Sequence, residues 1–158
     1  MRGGVTFEMV PIGVVHSPYT SVDGIPRCAA EKLEEVAMVE VFHEFAEGLA
    51  DLDGFSHVML LVHLHEATTT KLTVVPPIKD NEQARGVFAT RSPLRPNHIG
   101  LSTVELVRIE GRNLVVRGID LLDGTPLLDI KPYMPYDARS SIEIGWLEGK
   151  AISQDDGD

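Results

Sequence analysis

Hydrophobic and polar residues alternate along several short stretches of this chain, with the two-residue period of half-buried strands. "VAMVEVF" sets Val36, Met38, Glu40 and Phe42 on one face and Ala37, Val39 and Val41 on the other. In "SHVMLLVHLHEA", Val58, Leu60, Val62 and Leu64 form an aliphatic face opposite His57, Met59, Leu61, His63 and His65. An earlier strand is predicted from about Met9 to Val15, broken by Ser17 and Pro18 and followed by a long loop through "SVDGIPR". "KLTVVPPI" reads as an edge strand stopped by Pro76 and Pro77. From Leu101 the chain reads strand, turn at Gly111-Arg112-Asn113, strand, turn at Asp123-Gly124, strand. Helical spacing is found in "HEFAEGLADL", where Phe45, Leu49 and Leu52 recur and Glu44 and Glu47 stand near the start.

Many short strands, tight turns and one convincing helix predict a mainly β fold. The expected form is a single small closed β-barrel of short, mostly antiparallel strands with one or two short helices, because closure removes exposed edges. The barrel domain is expected over 1–150, and the acidic "AISQDDGD" of 151–158 as a disordered tail. A chain of 158 residues, 43% hydrophobic and 24% charged, is long enough and apolar enough to bury such a core. No apolar run reaches the length of a membrane span, and "MRGGVTFEMVPIGVV" lacks a signal-peptide pattern. A cytoplasmic location is therefore expected. The one cysteine, Cys28, excludes an internal disulfide and a multi-cysteine zinc site.

Charge changes the picture. With 24 acidic residues against 14 basic ones the net charge is −10, which speaks against unspecific nucleic-acid binding. "GVFATRSPLRPNHIG", Gly86 to Gly100, inverts that balance: it carries Arg91 and Arg95, follows Arg85, and contains no acid. It matches neither of the glycine-rich nucleotide loops. A proline-stiffened loop presenting guanidinium groups suits a carboxylate or phosphate ligand. Internal pairing with the chain's own acids is an equally good reading. Asp120 and Asp129 in "DLLDGTPLLDIKPY" stand where strands seldom take aspartate, although Asp123-Gly124 alone reads as a hairpin turn. His63, His65 and Glu66 share the pattern of metal-holding strands, with His57 or His98 as a third ligand. A polar cleft without metal is the preferred reading there. Cys28 beside Arg27 suggests a lowered-pKa thiol, but no histidine is paired with it in sequence, so no nucleophilic role is assigned.

"GVFATRSPLRPN", Gly86 to Asn97, resembles the signature of the TsaA-like family, whose bacterial members include the tRNA threonylcarbamoyladenosine methyltransferase. The segments "IGVVHSPY", "IPR", "DGFSHVMLLVHLHE" and "DLLDGTPLLDIKPYMPY" agree in order, so the resemblance runs from about Pro11 to Arg139. It implies a small β-barrel that binds S-adenosylmethionine, forms homodimers and uses no metal. The implied activity is methyl transfer to threonylcarbamoyladenosine beside the tRNA anticodon; the alternative is an S-adenosylmethionine-binding module or sensor without methyl transfer. By motif, the implied cofactor positions are Pro26, Arg27, Cys28, His65, Glu66, Arg91, Leu101, Asp120, Leu121, Leu122, Asp123 and Gly124. His65 and Arg91 would serve catalysis, and Arg95, Asn97 and Tyr133 the substrate. Two departures stand out. The bacterial tRNA enzymes carry a C-terminal region beyond the barrel, whereas this chain ends soon after "IKPYMPY", and His98 stands where proline is common.

Overall fold

The alternating stretches pair edge to edge until no edge is left. In the computed structural model, which describes residues 4–26, 34–79 and 81–150, eight strands form. They are β1 (Gly13–His16), β2 (Val36–Val41), β3 (His57–His63), β4 (Thr73–Val74), β5 (Arg85–Gly86), β6 (Ile99–Glu110), β7 (Asn113–Arg117) and β8 (Pro126–Pro132). Six close into an antiparallel barrel in the order β1-β2-β7-β6-β3-β8, while β4 and β5 make a separate two-stranded ribbon.

Register follows the predicted faces. Ala37, Val39 and Val41, then Val58, Leu60 and Val62, then Leu114 and Val116, all point inward and are buried. On β6 the inward row runs Leu106, Val104, Ser102, Gly100. A bulge between Leu106 and Arg108 shifts the phase, so that Ile109 also packs on the core. Two glycines are required by close approach. A Cβ on Gly13 would lie 2.1 Å from the Glu40 carbonyl oxygen, and one on Gly100 would meet Val62 and Leu64 at 2.8 Å.

Three expectations are corrected. The first strand begins at Gly13 rather than near Met9: Pro11 has no N–H to give, and Phe7, Met9 and Val10 stay exposed. The helix at His43–Leu49 is a 3-10 helix, broken by Asp51 in the left-handed region before a second short turn at Leu52–Gly54. No hairpin forms at Asp123-Gly124. β7 pairs with β2 and β6, whereas β8 pairs with β1 and β3. The Gly124 N–H bonds instead to the Val15 carbonyl at 2.8 Å, which turns the chain toward β1. The turn after β6 does form, with Gly111 at φ 63° in the first of its two central positions.

The strand order dictates where the connections go. The β1–β2, β3–β6 and β7–β8 connections all leave from one end of the barrel, called here the loop end. The opposite end carries the β6–β7 turn, the 3-10 helices at His43–Leu49 and Leu52–Gly54 between β2 and β3, and the exit of β8. No helix among the described residues is long and apolar enough to cross a membrane.

Candidate functional site

The arginine-rich loop is built by polar groups that bond its own carbonyls. Arg95 donates to Thr90 O at 3.0 Å and, more weakly, to Ser92 O and Val87 O at 3.5 Å. The Thr90 hydroxyl donates to Val87 O at 2.8 Å, and the His98 ring lies 3.0 Å from Pro93 O. Backbone bonds from Leu64 N to His98 O, Lys71 N to Leu94 O and Val87 N to Leu72 O tie the loop to the chain leaving β3. From outside, Trp146 donates its indole N–H to Ala89 O at 2.8 Å, and its ring lies 4.9 Å from the Arg85 guanidinium carbon.

This separates two arginines that look alike in sequence. Arg95 is half-buried and spent on the loop's carbonyls. Arg91 is exposed and, among the described residues, makes no ion pair or hydrogen bond. Neither arginine meets an acid among the described residues. By contrast Arg112 on the barrel wall meets Glu40 at 2.7 Å and Arg117 meets Glu105 at 3.3 Å. Asn97 and His98 form a left-handed corner at φ 63° and 48°. The histidine thus adopts an angle closed to proline, whose ring fixes φ near about −65°.

The β7–β8 connection folds over the same end. Asp123 accepts from the Ser17 N–H at 3.0 Å and gives its own N–H to Tyr19 O at 2.7 Å; the Ser17 hydroxyl donates to Leu121 O at 2.6 Å. Leu122 O accepts from the Thr125 hydroxyl at 2.6 Å. The Ser102 hydroxyl donates to Asp120, joining this loop to the start of β6, which follows the arginine loop. Nearby, the Tyr19 hydroxyl donates to Glu35. Burial, that hydrogen bond and the charges of Glu35 and Asp120 push the Tyr19 pKa up to about 12.

His65 and Glu66 sit in the turn just after β3, with His65 Nε2 3.5 Å from a Glu66 oxygen. Leu101 faces outward on β6 opposite Leu61 and is 44% exposed. Pro26 is buried at the end of the first described part of the β1–β2 connection; Arg27, Cys28 and the 151–158 tail lie outside the described residues. The loop end therefore gathers Pro26, His65, Glu66, Arg91, Arg95, Asn97, Leu101 and Asp120 to Gly124. Tyr133 is not among them. Its N–H bonds to His57 O at 3.0 Å at the opposite end, where its ring packs edge-on against His57. His57 is likewise remote from His63, and no group of three His, Cys, Asp or Glu side chains among the described residues is placed to hold a metal ion. A groove of about 560 Å³ under the 3-10 helix, lined by Phe45, Leu49, Phe55 and Ile130, is also at that far end and contains only one residue singled out from sequence chemistry, Asp129.

Sequence reasoning passed over Tyr19, Glu35, Ser102 and Trp146. Ser102 had a usable signal: a polar residue at an inward position of an otherwise aliphatic row. Trp146 had none, because it meets the arginine loop only through tertiary packing.

The family model of the tRNA-methyltransferase O N-terminal domain matches residues 14–138. A probable S-adenosyl-L-methionine-binding protein of Pyrococcus abyssi is 50% identical over 139 residues, 87% of this chain and 74% of that protein. A mouse tRNA (adenine(37)-N6)-methyltransferase is 37% identical over 141 residues, 85% of this chain but 32% of the mouse protein. The crystal structure of TrmO from Pseudomonas aeruginosa superposes with a TM-score of 0.74 at 39% identity, covering 90% of this chain and 63% of that one. The chain thus spans just under two thirds of that TrmO chain, and by sequence and by fold it belongs to the TrmO N-terminal domain family.

Proposed function

We propose that the chain binds S-adenosylmethionine at the loop end and transfers its methyl group to the N6 nitrogen of the threonylcarbamoyl-modified adenosine beside a tRNA anticodon. The observation that carries the reading is the convergence there of the three connections bearing the family's motifs, with Arg91 meeting no partner among the described residues. The donor set suits such a nucleoside. Arg91 offers a two-pronged donor for a carboxylate, the exposed Leu101 an apolar face, and Asp120 and Asp123 acceptors for hydroxyls or a cation. The names of the relatives from Pyrococcus abyssi and mouse point the same way.

Bound S-adenosylmethionine supplies a methyl group already activated on a sulfonium. The protein's part is alignment of acceptor nitrogen, methyl carbon and sulfur, which depends on a site held still. Arg95, Thr90 and Trp146 supply that rigidity by fixing the loop that carries Arg91. In this reading His65, or the acid Glu66 beside it, takes the proton released by the acceptor nitrogen. Asn97, exposed on its left-handed corner, faces the tRNA, and the protein works in the cytoplasm as a homodimer that brings Tyr133 of one copy toward the loop end of the other.

A second reading, binding without methyl transfer, is favoured by the name of the 50%-identical relative, a binding protein. Incubation with methyl-labelled S-adenosylmethionine and tRNA containing threonylcarbamoyladenosine separates the two. Label in the tRNA, lost in Arg91→Ala, supports transfer; tight cofactor binding with no label on any such tRNA leaves the binding module.

A further inference from the structure

The inward row of β6 is aliphatic until it reaches the loop end, where Leu106 and Val104 give way to Ser102 and Gly100. Barrel packing does not ask for a hydroxyl at that point. Ser102 is 5% exposed, and the other buried polar residue among those described, Thr125, bonds within its own loop. Ser102 instead reaches a side chain on a different connection and donates to the Asp120 carboxylate. Gly100 narrows the strand just beyond it, because the space of a Cβ there is already taken by Val62 and Leu64. Asp120 itself is half-buried at the start of the β7–β8 connection, at the rim of the mouth.

We infer that Ser102 is a positioning residue, orienting the Asp120 carboxylate toward a nucleoside at the loop end. A hydroxyl donating to one carboxylate oxygen restricts the rotation of the group, alongside whatever else Asp120 meets, and so narrows the direction of its second oxygen. The same bond satisfies a hydroxyl that would be costly to bury alone. Leu101, its neighbour, faces outward, so consecutive β6 residues serve the two sides of the barrel wall at its rim. This inference rests on the proposed cofactor role of Asp120.

The test is a double-mutant cycle on the full chain, read by isothermal titration with S-adenosylmethionine and by thermal melting. Ser102→Ala is expected to weaken binding roughly 10-fold. In an Asp120→Ala background the same change is expected to cost nothing further. Equal losses in the two backgrounds, or a loss that follows the melting temperature alone, overturn the positioning role. Should the alanine variant fail to fold, Ser102→Thr and Ser102→Val, close in shape, carry the comparison: threonine binds close to the unaltered chain and valine about 10-fold more weakly. Equal affinities for that pair overturn the inference too. Absence of nucleoside binding by the unaltered chain sinks the functional reading and this inference with it, whereas binding without coupling sinks only the positioning role.

Discussion

The barrel and the arginine loop are ordered by opposite means. The barrel is a ladder of backbone bonds around aliphatic side chains, of which Leu60, Leu114 and Leu127 are among the largest fully buried. The loop has little regular secondary structure, and side chains take the place of the missing ladder: Arg95, Thr90 and Trp146 each donate to one or more of its carbonyls. Their cations differ too. On the wall Arg112 and Arg117 are matched to Glu40 and Glu105, and His16 and Arg112 together hold the Glu40 carboxyl below its usual pKa. In the loop Arg91 meets no acid among the described residues. The lesson is a division of labour, in which stability is invested in one region and a charge is kept available in the other.

Substitutions can break that comparison. The largest expected effect is in the barrel: Leu60→Ala removes a fully buried side chain and is expected to cost about 2–5 kcal/mol in chemical denaturation. A cost under about 1 kcal/mol would mean that the core is not packed as described. The next effect depends on pH. The folded protein holds the Tyr19 proton more tightly than the unfolded chain, whose tyrosine titrates near 10.0. That stabilisation is complete below pH 10 and is lost as pH rises toward 12, so melting curves should fall over this window and Tyr19→Phe should flatten the fall. Arg95→Ala, which unbinds several loop carbonyls at once, is expected to cost about 1 kcal/mol and to expose residues 86–98 to limited proteolysis. Arg91→Ala should leave stability within about 0.5 kcal/mol while removing cofactor binding. A larger stability loss there would erase the distinction between the two arginines.

Much of the fold was legible because alternation fixes which residues face inward. Val58, Leu60 and Val62, assigned to one face on spacing alone, are all fully buried. What alternation does not encode is which strand lies next to which. Asp123-Gly124 therefore read as a hairpin, although the decisive contact, Gly124 to Val15, joins residues far apart in sequence. The 3-10 geometry at His43–Leu49 was hidden for a related reason: Phe45, Leu49 and Leu52 fit the spacing of an α-helix, and Asp51 breaks the run only through its backbone. At the candidate site, Arg91 and Arg95 were found by their charge against an acidic chain. Their different employment was not, since it turns on which carbonyls fold within reach of which guanidinium.

One contact reaches beyond the barrel itself. After β8 the chain leaves at the far end, yet Trp146 fastens it against Ala89 at the loop end. Lys150 lies four residues later, a span of at most about 14 Å of extended chain. Anything tethered past that point would therefore start on a short leash from Arg91. It would meet a molecule held there at high effective concentration without having to search for it.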